Sequence, residues 1–291
     1  MERLNFNRWN KMEKIHIGCA QNELSRNFAD HLAQCLHSYH PELTAELVPI
    51  KNTGADEEPT LVARRLEQAL IDCRVDLAVY HALDLPLELH PELPIVAISS
   101  REDVRDALVF PQGKQQPDFS KPIGCSSLRR KLQLEKLFPQ ASFKPIRGNV
   151  QTRLKKLDSG EYGAIVLAYA GIKRLGLEER VSRLFAIEEI LPAACQGILV
   201  VQGRAGYEVP YLAGFADEET KLIALAERSY VRTLDGGCSS PVAAYACIDG
   251  EEITIQGFYV DEEENQYIDS IKGSKYKGEA LGKELALRMK G

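Results

Sequence analysis

Strand-like and helix-like apolar periods alternate twice along this chain, and that repetition limits its fold more than any other feature. Lys14-Ile-His-Ile-Gly-Cys19 alternates as a half-buried strand does, and Leu24, Phe28, Leu32 and Leu36 then recur at helical spacing. A second strand is expected over 44–50, a helix over 61–73, a third strand over 75–80 and a fourth over 94–99. The third strand runs into His81-Ala-Leu-Asp84-Leu-Pro86. Ligands of open α/β sheets gather beyond the carboxyl ends of strands, which is where Asp84 falls. Residues 101–118, with proline, glycine and glutamine, read as a crossing into a second unit that repeats the alternation. That unit is expected to have a strand at Ile123, a helix over 127–138, a strand near Phe143, a helix over 149–159 closed by Gly160, and a strand over 163–168. Residues 192–202 read as a return strand.

The fold class expected is α/β: two lobes forming a cleft, as in periplasmic binding proteins, plus a small C-terminal α+β domain. In the last part a helix over 219–234 stops at Asp235-Gly-Gly-Cys238-Ser-Ser-Pro241, and strands over 243–248, 252–259 and 266–271 precede a final helix. Two readings of Cys238 stand side by side. A lone cysteine is commonly a small buried hydrophobe, whereas the glycines before it and the proline after it suit an open loop and an accessible thiol.

With 291 residues the chain has room for two or three domains at ~150 residues or fewer each. Its net charge of -6 argues against nucleic-acid binding by bulk electrostatics, so any basic site must be local. The first residues lack a signal-like apolar run and no stretch approaches the ~20 apolar residues of a membrane span, so a cytoplasmic location is expected. Seven cysteines at irregular spacings fit reduced thiols rather than disulfides or zinc. His31, His37 and His40 suit no metal face, and no metal is expected.

Local basic sites are present. Lys121-Pro-Ile-Gly-Cys-Ser-Ser-Leu-Arg-Arg130 and Ile146-Arg-Gly-Asn-Val-Gln-Thr-Arg153 each read as a turn entering a helix, with serine or asparagine at the cap. Arg129, Arg130, Arg147 and Arg153 stand at or near helix starts, where the macrodipole disfavours cations, so a polyanionic ligand is expected to offset them.

Gly124-Cys-Ser-Ser-Leu-Arg-Arg130, Arg147-Gly-Asn-Val-Gln-Thr-Arg-Leu-Lys-Lys-Leu-Asp158, Ala168-Tyr-Ala-Gly-Ile-Lys-Arg-Leu-Gly-Leu177, Pro192-Ala-Ala-Cys-Gln-Gly197 and Leu234-Asp-Gly-Gly-Cys-Ser-Ser-Pro-Val242, in that order, resemble the porphobilinogen deaminase (hydroxymethylbilane synthase) family. The resemblance implies a first lobe of 14–99 plus 196–216, a second of 103–192, and a cysteine-bearing domain of 217–291. It implies a transferase of haem biosynthesis that condenses four porphobilinogen molecules, with loss of ammonia, onto a dipyrromethane cofactor held by a thioether to Cys238. Ser126, Ser127, Arg129, Arg130, Arg147, Gly148, Asn149, Arg153, Gln196 and Gly197 would bind the cofactor, and Arg174 the substrate. Asp84 would stabilise the positive charge formed as ammonia leaves and then remove a proton after coupling. A monomer is expected.

The first lobe departs from the family pattern. Ala20 stands where an arginine is usual, Leu83 where a lysine is usual, and the loop 52–59 is short and acidic. Lys51, Arg64 and Arg65 are candidate replacements for the missing cations. A paralogue that binds pyrroles without normal turnover is therefore an alternative, and a cytoplasmic two-lobed carboxylate-binding protein is another, though the latter gives Cys238 no role.

Overall fold

The computed structural model describes residues 14–51, 59–206, 209–236 and 241–291. In the first lobe the order is β1 (Lys14–Ala20), α1 (Glu23–Tyr39), β2 (Thr44–Ile50), α2 (Pro59–Ile71), β3 (Leu77–His81) and β4 (Ile95–Ile98). The second contains β5 (Asp106–Val109), β6 (Ile123–Gly124), α3 (Leu128–Leu137), β7 (Phe143–Lys144), α4 (Val150–Asp158), β8 (Ala164–Ala168), α5 (Tyr169–Lys173) and β9 (Arg183–Leu184). The chain then returns as β10 (Leu199–Gln202) and ends in α6 (Glu218–Thr233), β11 (Ala243–Asp249), β12 (Glu252–Val260), β13 (Gln266–Ser274) and α7 (Gly278–Lys290).

The two five-stranded sheets have matching plans, β2-β1-β3-β10-β4 and β7-β6-β8-β5-β9. In each, parallel strands joined by helices are completed by one antiparallel strand, β10 beside β3 and β5 beside β8. Both added strands belong to the chain's passages between the lobes, so the lobes are joined by two crossings. This is the α/β architecture of two periplasmic-binding-protein-like lobes, with a small third domain in which α6 and α7 pack on the antiparallel sheet β11-β12-β13. Alternation puts Ile15 and Ile17 of β1 against Phe28, Leu32 and Leu36 of α1, while Leu66 and Leu70 of α2 cover the opposite face with Ala78 and Tyr80.

Two sequence expectations are corrected. The crossing is shorter than 101–118, because Asp106-Ala-Leu-Val109 is a fully buried interior strand of the second sheet, between β8 and β9. A charge at its start disguises it as a loop, yet that charge is neutralised internally. The return strand is only 199–202; before it, Cys195 (φ 61) and Gly197 (φ 87) turn the backbone out of extended geometry. Glycine is required at 197, since a Cβ there would lie 2.4 Å from the Glu102 carbonyl oxygen of the other crossing.

A buried ion pair ties the crossings to the third domain. Arg101 donates to both carboxylate oxygens of Glu227 on α6 (2.6 and 3.2 Å) and to the Gln196 carbonyl (3.0 Å). Glu227 also accepts from the backbone N–H groups of Cys195 (2.5 Å) and Ala246 (2.6 Å). Replacing Glu227 with alanine would strand a buried guanidinium and two donors, so a loss of about 3–5 kcal/mol is expected in urea unfolding. A loss below about 1 kcal/mol would show that water replaces the carboxylate.

Candidate active site

Asp84 closes a short 3-10 turn, Ala82–Asp84, directly after β3. The turn is capped by His81, whose Nδ1 accepts from the Leu83 N–H (3.4 Å) and must therefore be unprotonated. Burial first, then the nearby Arg174 and Arg101 charges, hold His81 down to about 3, so the cap persists at neutral pH. Asp84 keeps some contact with solvent, yet protein encloses enough of it that desolvation pushes its carboxyl up to about 7. A carboxyl poised there can hold or release a proton at physiological pH.

The arginine stretches fold as their caps require. Ser127 Oγ accepts from the Arg130 N–H (3.3 Å) at the start of α3, and Asn149 Oδ1 from the Thr152 N–H (2.9 Å) at the start of α4. The exposed Ser126 locks the two stretches together, donating to the Ile146 carbonyl (2.6 Å) and accepting from its N–H (2.9 Å). Gly148 takes φ 110, and its carbonyl accepts from Arg153 Nε (2.7 Å).

The first partner of these arginines is internal. Arg129, only 3% exposed, donates to the Leu191 carbonyl (2.6 Å) and to Asp106 (3.1 Å). Arg130 makes a two-point pair with the same carboxylate (3.0 and 2.7 Å), which also accepts from Gln196 Nε2 (2.8 Å). Burial would raise the Asp106 carboxyl, but Arg130 and Arg129 outweigh it and hold the group below its ordinary value. Beside the polyanionic ligand expected to offset these helix-start cations, a buried aspartate offsets part of them. Asp106 escaped sequence reasoning; the signal was a single acid opening an otherwise apolar run.

Among the described residues, one carboxylate between two guanidinium groups leaves an excess of positive charge. Arg153 adds to it, its pKa lowered by burial and then by the Arg130 charge. Arg174, after α5, stacks over Phe28 (5.4 Å) and donates through Nη2 to the Gly197 carbonyl (2.7 Å). Its buried Nη1 has no hydrogen-bond partner among the described residues, and desolvation lowers its pKa to about 10. Surplus guanidinium charge and an orphaned donor fit a polycarboxylate ligand. Arg147 is exposed, and Gln196 is buried with Nε2 also on the Val104 carbonyl (2.6 Å). Cys238 and positions 52–58 lie outside the described residues.

Of the candidate replacement cations, Lys51 and Arg65 line a pocket of about 380 Å³ with Pro49, Ile50, Gln68 and Arg74. Arg65 donates there to the Lys51 carbonyl (2.9 Å), and Arg64 is exposed on α2. Among the described residues no helix is long and apolar enough to cross a membrane, and no group of three His, Cys, Asp or Glu side chains is arranged for a metal.

Comparison with known proteins accounts for nearly the whole sequence. Residues 15–209 match the family described as porphobilinogen deaminase, dipyromethane cofactor binding domain, and residues 221–291 match the porphobilinogen deaminase C-terminal domain. The porphobilinogen deaminase of Alkaliphilus oremlandii is 50% identical over 287 residues, covering 96% of this chain and 97% of that protein. Those of Acetivibrio thermocellus and Chromobacterium violaceum are 48% and 37% identical, each alignment covering at least 94% of both proteins. With both domains matched and half the residues shared with a full-length relative, the chain belongs to the porphobilinogen deaminase family.

Proposed function

We propose that this chain performs the family's hydroxymethylbilane synthase reaction, the deaminating condensation of four porphobilinogen molecules, with Asp84 as its acid–base group and Cys238 as the anchor of its dipyrromethane. The observation that carries the assignment of roles is the place of Asp84 in the turn at the carboxyl end of β3, where burial raises its carboxyl. As an anion it stabilises the positive charge that develops on the substrate when ammonia leaves, and it then accepts the proton released on coupling. Dipyrromethane, when bound, supplies the carbon to which the first pyrrole joins.

Arg130, Arg153 and Arg174 hold cofactor and substrate carboxylates by charge-assisted hydrogen bonds, joined by Arg147 from the surface, while Ser126, its hydroxyl proton given to the Ile146 carbonyl, holds the two arginine stretches in place for that binding. Arg129, Ser127, Gly148, Asn149, Gln196 and Gly197 act through the backbone and Asp106, fixing those guanidinium groups in place. The protein works as a cytoplasmic monomer and binds no nucleic acid or membrane. The paralogue without turnover is not favoured, given 50% identity to a porphobilinogen deaminase. The test is to incubate purified protein with porphobilinogen and oxidise the product in acid. Uroporphyrin colour is expected; its absence at every substrate concentration, from protein bearing a dipyrromethane-sized adduct, would restore the paralogue reading.

A further inference from the structure

Helix α6 turns two consecutive charged side chains toward the first lobe. Glu227 grips the crossings through Arg101. Arg228 reaches the loop that follows Asp84, where its Nη2 donates to the carbonyls of Pro86 (2.8 Å) and Leu87 (3.1 Å). The loop is therefore held on both sides of the aspartate: upstream by the His81 cap on the Leu83 N–H, downstream by a guanidinium from another domain. Leu85, 4% exposed, pins the middle in the core of the first lobe. From Arg228 the helix continues to Thr233, and the sequence reaches Cys238 five residues later.

We propose that Arg228 is a positioning residue for turnover, setting the place of Asp84 relative to the domain that carries Cys238 rather than relative to its own lobe alone. The inference rests on the reading of Asp84 as the acid–base group. Two carbonyls at one guanidinium fix direction as well as distance, which a point charge does less well. Displacing a reacting group by about 1 Å can cost about 10²-fold in rate. Among the described residues the titratable and charged groups around the loop are His81 on β3, Arg174 and Arg101 beside it, Glu88 along the loop, Cys195 before β10, and Arg228 with Arg232 on α6.

The test compares purified Arg228→Ala, Arg228→Lys and Asp84→Asn proteins with the unsubstituted holoenzyme. Arg228→Ala is expected to keep its adduct by mass spectrometry and a near-normal KM, while kcat falls about 10- to 100-fold. Amide exchange in 83–88 is expected to speed up about tenfold or more, with little change in the strands. A loosened loop also admits water to Asp84, so the acid limb of kcat/KM moves to lower pH. Arg228→Lys is expected to recover part of each change.

Wild-type kcat and exchange in Arg228→Ala, or a loss of rate that only follows loss of adduct, overturns the inference. If Arg228→Ala does not fold, Arg228→Gln is measured in the same ways, and the same outcomes decide for or against the role. Full activity in Asp84→Asn would instead remove the reading on which the inference rests.

Discussion

Exchanging Asp84 for asparagine is expected to lower kcat by about 10²- to 10⁴-fold while the covalent pyrrole stays on the protein. Asparagine keeps the size of the side chain and can accept a hydrogen bond, but it neither carries the negative charge that ammonia departure requires nor takes a proton. The pH profile separates this role from a packing role. With the carboxyl raised to about 7 by burial, the acid limb of kcat/KM in the unsubstituted enzyme is expected at or somewhat below pH 7. The substrate's own ammonium favours the carboxylate, so the limb of kcat should lie lower still. Both limbs should vanish in the asparagine variant. An unchanged kcat, or a limb that persists, would take Asp84 out of the mechanism.

The same shift has a consequence for stability with the opposite sense to activity. Folding raises this carboxyl, so its ionisation opposes the folded state. The handicap is absent below the ordinary carboxylate pKa, near ~4, and complete above about 7. Asp84→Asn should therefore be more stable than the unsubstituted protein above pH 7, with the difference closing as pH falls toward 4. Melting temperatures measured across that range check the sign, and a gap that widens toward low pH would contradict it. Charge placed for chemistry at a cost in stability is a familiar feature of active sites.

Local signals that depend on near neighbours were legible in the amino-acid sequence. The caps Ser127 and Asn149 announced α3 and α4, and the period of Leu24, Phe28, Leu32 and Leu36 announced α1, because each element's bonds and buried face are set by residues three or four apart. What the sequence concealed depends on pairs far apart. Asp106 meets Arg129 and Arg130 across 23 and 24 residues, Arg101 meets Glu227 across 126, and Arg228 meets Pro86 across 142. No local period marks such partners, and a charged residue read alone is most simply a solvated one. The candidate site was partly legible: Asp84 stands at a strand's carboxyl end, where ligands gather, and the family resemblance implied its role, whereas the division of the arginines into buried struts and groups with spare charge requires the fold.

Cys238→Ala is expected to yield a protein with no adduct and no turnover, and the surplus guanidinium charge predicts how that protein will behave physically. Arg130 and Arg153 repel one another, and the buried Asp106, shared between Arg129 and Arg130, cannot offset all of the charge. A tethered polycarboxylate that makes its contacts only in the folded state supplies the missing anions intramolecularly and so stabilises that state. Without the tether, the melting temperature should fall and become dependent on added anions. Sulfate or phosphate should raise it further in Cys238→Ala than in the adduct-bearing protein at equal ionic strength, a control that sets general screening aside. Adding Arg153→Gln to the alanine variant should blunt that response, since removing one of the repelling cations lowers the need for an anion. A Cys238→Ala protein with an unchanged melting temperature and no anion response would mean that these arginines do not face the cofactor's carboxylates, and the binding role proposed for them would have to be withdrawn.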